Sequence, residues 1–491
     1  MKKLKMLFFN SLMVILFFSC TPGNENKGLG NEIIHGLRPA VYTSERQVTY
    51  DLEERMEYWN VPAVSLVVVD GMQIVYSGAF GVKRMGDTTR INENTLFQAA
   101  SVSKPVAAVG AMTLVHQNEL DLDTDINQLL QGWQLPHEAF EQKITLRNIL
   151  SHSAGLNVGG FAGYPSEESL PGLLEIIEGR PPANSHAVRV VAEPGTKFMY
   201  SGGGYQIMQK IMEDVTKKPF PKIMEENVFN PLNMTNSHYA PLDSAEKINA
   251  AYGHFTEEHI PNYGPIHVES AAGGLWTTPT DLGNLLIDLM KAYTHQESKI
   301  LDPETLHLIM KPVFWEYGFG FKVVGEGQNF RFSHGGATTG WHAHFLAFPE
   351  RGQAVVVMTN GTNGWVLWPE IERSVANILG WPILEPKYIE TIELTEDEIK
   401  GYTGEYIMNG LNIQITSDSL GLNFEGAGLK WYLIPSKKDT LEIVDMEGQV
   451  FFRRDENLAV TGMHLWFGEP DWSPYRSWDF IKSDHQSGLV P

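Results

Sequence analysis

Residues 95–115 read Thr95-Leu96-Phe97-Gln98-Ala99-Ala100-Ser101-Val102-Ser103-Lys104-Pro105-Val106-Ala107-Ala108-Val109-Gly110-Ala111-Met112-Thr113-Leu114-Val115. From Ser101 to Gln117 the stretch is apolar with helical character, and Ser101 stands at its start. A serine and a lysine three residues apart share one helical face, within hydrogen-bond reach. A helix N-terminus also favours developing negative charge. A lysine buried among these apolar neighbours loses solvation, so its pKa falls toward that of a usable base. Acyl transfer by a serine needs its hydroxyl deprotonated, the oxyanion stabilised, the leaving group protonated and water later activated. Ser101 and Lys104 supply the first two in part. Alone the pattern is weak, since roughly one or two matches arise by chance in a chain this long. A second match, Ser244-Ala245-Glu246-Lys247, lies in a polar stretch and reads as solvated surface.

Upstream, Val48, Leu52, Met56 and Trp59 recur at helical spacing. Val61–Val69 is β-rich, Asp70-Gly71 is a hairpin turn signal, and Ile74–Val82 reads as a second strand. Downstream of the serine a helical, loop-rich stretch runs to about residue 310, with helices over Leu146–Ser151, Gly204–Val215 and Asp281–Tyr293. Strands return at Phe319–Val324, Phe330–Phe332, Trp341–Phe348 and Ala354–Met358, and Pro369–Leu379 reads as a closing helix. Strands that open and close a domain around inserted helices make an α+β fold: a mixed sheet flanked by helices, with a helical subdomain. This domain spans 45–382 and ends near Trp381-Pro382. Beyond it, six short strands separated by turn residues predict a small antiparallel barrel over 390–480.

The segment 95–115 resembles the nucleophile segment of the serine β-lactamase and penicillin-binding-protein superfamily, in its class C-like branch. The resemblance continues in chain order through Ile144–Leu156, Glu193–Gly202, Ala271–Trp276 and Phe332–Ala337, and covers roughly 45–380. It implies a serine hydrolase that uses no metal or organic cofactor. Ser101 is then the nucleophile, and Lys104 and Tyr200 share proton transfer. The backbone N–H groups of Ser101 and Ala337 form the oxyanion hole, and His334 contacts the tyrosine and the substrate carboxylate side. Gly335 and Gly336 line the substrate on the same strand. Two departures bear on substrate. Gly202 stands where the family's Tyr-x-Asn motif has an amide, which leaves a gap beside the acyl arm. His334-Gly335-Gly336 replaces Lys-Thr-Gly, as in D-amino-acid peptidases and esterases of the branch. Expected substrates are therefore esters or D-amino-acid amides and peptides. The alternatives are β-lactam hydrolysis or a penicillin-binding protein that is acylated without turnover. His152 reads as structural, and Gly273-Gly274 as a turn. The stretch from Tyr402-Thr403-Gly404-Glu405-Tyr406 resembles the lipocalin-like domain often appended to such hydrolases.

Other chemistries find less support. His342-Ala343-His344 puts two imidazoles on one strand face, but no HExxH or HxHxD motif accompanies them. No Gly-x-Ser-x-Gly elbow is present. The net charge of -22 argues against a nucleic-acid partner, which needs basic phosphate contacts. A single cysteine, Cys20, excludes a disulfide framework. It follows Lys2, Lys3, Lys5 and an apolar run from Leu7 to Phe18, too short to span a bilayer but suited to a signal h-region. Residues 1–20 thus resemble a bacterial lipoprotein signal with Cys20 as the lipidated residue, followed by a flexible tether over 21–44. Export to the periplasmic face of a membrane is expected, with the lipid as the only membrane contact. The sequence leaves oligomeric state open.

Overall fold

The computed structural model describes residues 25–483 except 137–138, 166, 256–257, 261–262, 420 and 469–475. The signal segment and Cys20 lie outside the described residues.

The first helix, α1, runs Glu25–Ile34, and α2 runs Leu52–Tyr58 with Asp51 accepting from the Glu53 N–H at its N-cap. Strands β1 (Ala63–Asp70) and β2 (Gln73–Gly81) form a hairpin. Gly71 and Met72 both have positive φ, 56° and 62°, the geometry a two-residue hairpin turn requires. Then come α3 (Ser103–His116), α4 (Gly202–Thr216), the short α5 (Ser270–Gly273) and α6 (Pro279–Tyr293). Four more strands follow: β3 (Lys322–Val324), β4 (Arg331–Thr338), β5 (Trp341–Phe348) and β6 (Gln353–Thr359). Helix α7 spans Gly364–Leu379, with Pro369 inside it rather than at its start.

The six strands make one sheet in the order β2-β1-β6-β5-β4-β3. The terminal segments share it as expected, through β1 paired to β6 from Val64↔Thr359 to Val69↔Ala354. Every pairing is antiparallel, so the strand directions are not mixed: hairpins join β1 to β2 and β4 to β5 to β6, and the long helical insertion brings β3 back beside β4. Strand β1 is buried on both faces, which explains its unbroken apolar run. Its side chains divide by the two-residue period. Ala63, Val67 and Val69 join the core with α3 and α6, whereas Val64, Leu66 and Val68 join a second core with α7.

Residues 25–44 are folded, which corrects the expected tether over that span. Ile33 and Leu37 are buried in the second core, and Leu37 exchanges backbone hydrogen bonds with Tyr50. Val41 and Tyr42 pair in parallel with Lys387 and Tyr388. The Gly and Asn content that suggested a linker has another role here. Gly30 lies against the ring of Tyr76, where a Cβ would collide.

Helix α8 (Glu396–Tyr402), with a Thr395–Glu398 capping box, leads into the barrel. Its strands are β7 (Gly404–Met408), β8 (Leu411–Asp418), β9 (Gly421–Gly426), β10 (Leu429–Lys437), β11 (Thr440–Ile443), β12 (Gly448–Arg454), β13 (Val460–Phe467) and β14 (Arg476–Lys482). They are neighbours in chain order, and β14 closes on β7 through Tyr406↔Lys482 and Ile407↔Ile481. The six strands expected from sequence are all present; β7 and β14 complete the ring. The barrel sits against α7 and α2, on the sheet face away from α3. Arg55 Nε donates to Glu370 Oε2 at 2.8 Å, and its Nη2 lies 3.1 Å from Asp445 Oδ1, all three side chains being buried.

Candidate active site

The strand-like pair Phe97-Gln98, held to Trp276-Thr277, delivers the chain to a 3₁₀ turn over Ala100–Val102, which runs directly into α3. Ala100 has φ 46°, a left-handed conformation that costs a non-glycine residue roughly 1 kcal/mol or more. This turn brings Ser101 to the surface of the cleft while its neighbours stay buried.

Lys104 lies one turn on. Its Nζ donates to Ser101 Oγ at 3.0 Å and to the Ala272 carbonyl of α5 at 2.8 Å. The residue is 2% exposed. Among the described residues no carboxylate stabilises its charge, and burial lowers its pKa from 10.5 to about 7. The ammonium also sits 4.9 Å above the ring of Tyr200. Burial pushes the Tyr200 phenol well above its ordinary pKa, and a hydrogen bond with Ser101 opposes this. Tyr200 is therefore a neutral phenol, able to hand on a proton but poor at taking one unaided.

His152 holds Tyr200 from behind. The rings lie 4.3 Å apart. The Ser201 N–H donates to His152 Nδ1 at 3.0 Å, and the Met199 N–H donates to the His152 carbonyl at 2.7 Å. Backbone on both sides of Tyr200 is thus fixed to one residue. Burial, and then Lys104, drive the His152 pKa well down, so the ring is neutral.

Strand β4 closes the other wall. Alternation places His334, Gly336 and Thr338 on one face. Gly336 is required there: an added Cβ would collide with the Ala99 carbonyl and come within 3.1 Å of the Ser101 and Val102 nitrogens. Ala337 follows it, paired to His342 of β5. His334 donates from Nδ1 to the Gly335 carbonyl at 2.7 Å, so its Nε2 accepts from the Tyr317 hydroxyl at 3.1 Å. Burial first, then Lys104, lower its pKa to about 3. The imidazole is neutral and both nitrogens are engaged. Its ring is 6.3 Å from that of Tyr200.

Gly202 begins α4, its N–H donating to the Gly159 carbonyl at 2.9 Å. The gap expected beside it is filled. A Cβ there would lie 3.1 Å from both the Gly159 carbonyl oxygen and the Phe161 ring.

The structure thus brings Ser101, Lys104, Tyr200, His334, Gly335, Gly336, Ala337 and Gly202 around one cleft. Sequence reasoning missed Tyr317, Phe161 and the Ala272 carbonyl. The first two lie on irregular loops with no motif, and the third is a backbone group whose side chain carries no signal. Ser244 is exposed, and Lys247 pairs with Glu167 at 3.0 Å, remote chemistry of the surface kind expected. His342 and His344 turn toward α7, where His344 Nδ1 contacts Glu372 Oε1 at 2.6 Å and the ring stacks on Trp368. Among the described residues no group of three His, Cys, Asp or Glu is placed to hold a metal ion.

Comparison with known proteins matches residues 51–378 to the family model described as beta-lactamase. A penicillin-binding protein of Bacillus subtilis (strain 168) is 22% identical over 432 residues, covering 80% of this chain and 91% of the relative. Among solved structures, the octameric penicillin-binding protein homologue from Pyrococcus abyssi superposes with a TM-score of 0.61 at 20% identity, over 88% of this chain and 98% of the other. The D-amino acid amidase from Ochrobactrum anthropi SV3 gives a TM-score of 0.57 at 20% identity, over 72% and 99%. The family model spans two thirds of the sequence, and on that footing the chain belongs to the beta-lactamase family.

Proposed function

We propose that this protein is a serine hydrolase working through an acyl-enzyme on Ser101, with Lys104 as base and Tyr200 as proton carrier. The observation that carries the reading is the buried Lys104 amine, 3.0 Å from Ser101 Oγ, with its pKa lowered by burial to about 7. In this scheme free Lys104 takes the Ser101 proton as Oγ attacks the scissile carbonyl. The oxyanion is met by the Ser101 and Ala337 N–H groups. The proton reaches the leaving group through the Tyr200 hydroxyl, and water then cleaves the acyl-serine by the same relay in reverse. The class C-like branch is part of this reading, supported by the order of the five motifs.

The preferred substrates are esters and D-amino-acid amides with uncharged leaving groups. His334 has no N–H left for a substrate carboxylate, and the Lys104 charge bears on both His152 and His334. The amidase relative supports the amide side of the reading. Intact-mass analysis after an aryl phosphonate should show one adduct, mapped to Ser101 and absent from Ser101→Ala. Labelling elsewhere, or none, would refute it. We also propose export and lipidation at Cys20, supported by the basic and apolar leader. Cys20→Ala should then release the protein from membranes.

A further inference from the structure

Two imidazoles flank Ser101 along β4. His334 stands at one end of the strand's inner face. At the other end, four residues or about 13 Å away, the Thr338 hydroxyl lies 3.0 Å from His267 Nε2. Gly336, between them on the same face, is the residue laid against the Ser101 turn. His267 Nδ1 in turn lies 3.5 Å from Glu269 Oε2, too long for a hydrogen bond but close enough for charge to orient the ring.

Glu269 is an unusual group to bury. It is 0% exposed, and the groups that face its carboxylate are the His267 ring and the Tyr164 phenol. Among the described residues His267 is the one basic side chain within ion-pair distance of it. Burial first, and then the charge and hydrogen bonding of Glu269, raise the pKa of the Tyr164 phenol. Gly163 packs on the imidazole edge, where a Cβ would meet Cε1 at 3.0 Å, so the ring is clamped. Glu269 also begins α5: its carbonyl accepts from the Ala272 and Gly273 N–H groups, and the Ala272 carbonyl holds Lys104. Nothing in the acyl-transfer scheme uses this buried side chain.

A carboxylate accepts, so Glu269 favours the tautomer with the ring proton on Nδ1, which leaves Nε2 as an acceptor. The Thr338 hydroxyl then donates to Nε2, and its oxygen keeps lone pairs to accept with, on the strand face by which Gly336 packs on the Ser101 turn. We infer that Thr338 is a specificity-determining residue on the acyl side of Ser101, held by His267 and Glu269 as a hydrogen-bond acceptor for an N–H next to the scissile carbonyl. The favoured acyl donors are those with an amine or amide nitrogen at that position, over plain alkanoyl groups. His267 and Glu269 are positioning residues that act through Thr338. This takes the place of the side-chain amide absent at Gly202, and it rests on the acyl-transfer reading above.

The test compares D-alanine methyl ester with methyl propanoate, which share a leaving group and differ by the amine, by pH-stat on the full chain. Wild type should prefer the amine-bearing ester by about tenfold in kcat/KM, the worth of one hydrogen bond. Thr338→Val should bring the ratio to within about twofold, Thr338→Ser should keep it, and Glu269→Gln should lower it. Glu269→Gln combined with Thr338→Val should give the same ratio as Thr338→Val alone, which a merely structural role for Glu269 would not produce. A ratio unmoved by Thr338→Val, no preference in wild type, or neither ester cleaved by protein whose Ser101 still takes the phosphonate would overturn the inference. Failure of Ser101 to take the phosphonate would instead sink the hydrolase reading itself.

Discussion

Replacing Lys104 with methionine removes the proposed base while keeping the buried volume. An ordinary lysine at pH 7 is free amine in about one molecule in 3000, whereas a pKa of about 7 makes it about one half. Burial therefore raises the supply of base by roughly 1500-fold. The same burial has a cost in stability. The folded-state pKa lies below the unfolded one, so the unfolded chain binds more protons between about pH 7 and 10.5. Stability from this group is greatest above pH 10.5, falls as the pH drops toward 7, and is lost in full below that. At pH 7 the loss is on the order of 4 kcal/mol. Two results should appear together. In wild type, the rate of Ser101 phosphonylation, followed by release of the aryl alcohol, should rise with unit slope and reach half-maximum near pH 7. Lys104→Met should lose about 10²–10⁴ of that rate and yet melt at a higher temperature. A half-maximum above pH 9, or a methionine variant that melts lower across pH 6–8, would refute the argument that an uncompensated buried amine drives the chemistry.

Gly336→Ala should cut Ser101 labelling by about 10²-fold, since the added Cβ displaces the strand from the Ser101 turn; a variant that labels at the wild-type rate would mean the wall can move freely. Tyr317→Phe leaves His334 Nε2 without its donor and should destabilise the fold by about 1–3 kcal/mol in denaturant melts, with no change arguing against a fixed neutral imidazole. Gly202→Asn should lower labelling because Phe161 occupies the space, and adding Phe161→Ala should recover it; a double variant no better than the single would show that Gly159, not Phe161, sets the limit. Glu370→Gln leaves Asp445 as the one carboxylate of this buried trio facing Arg55 and should cost on the order of 3 kcal/mol, read as an earlier urea midpoint.

The parts of the site legible in the sequence are those in which chemistry and local periodicity coincide. Ser101 and Lys104 share a helical face, and the Asp70-Gly71 turn and the β5 and β6 strands follow from residue type alone. The left-handed Ala100 was not legible, because alanine carries no preference for that geometry; the tertiary pairing of Phe97-Gln98 with Trp276-Thr277 imposes it. Tyr317 and Phe161 reach the site from irregular loops, where no spacing announces a neighbour. Composition misled at 25–44, where Gly30, which suggests slack, instead permits close packing on Tyr76. Pro369 read as a helix start because proline favours the first turn, yet α7 begins five residues earlier at Gly364.

The apolar contact between α7 and the barrel has a consequence for how the molecule comes apart. Trp365 on α7 meets Trp431 and Phe467 of the barrel at ring distances of 6.3 and 6.1 Å. The same cluster continues through Trp368 and Ile371 to Val355 and Val357 at the centre of the sheet. Side chains of the two domains thus form one continuous interior rather than two that touch. Both should take up their heat of unfolding in a single calorimetric peak, and a protease cut in the 382–395 connection should leave two fragments that elute together until denatured. The barrel behaves in this respect as the lower half of the catalytic scaffold, and shortening the chain at Pro382 would strip one side of α7 to solvent.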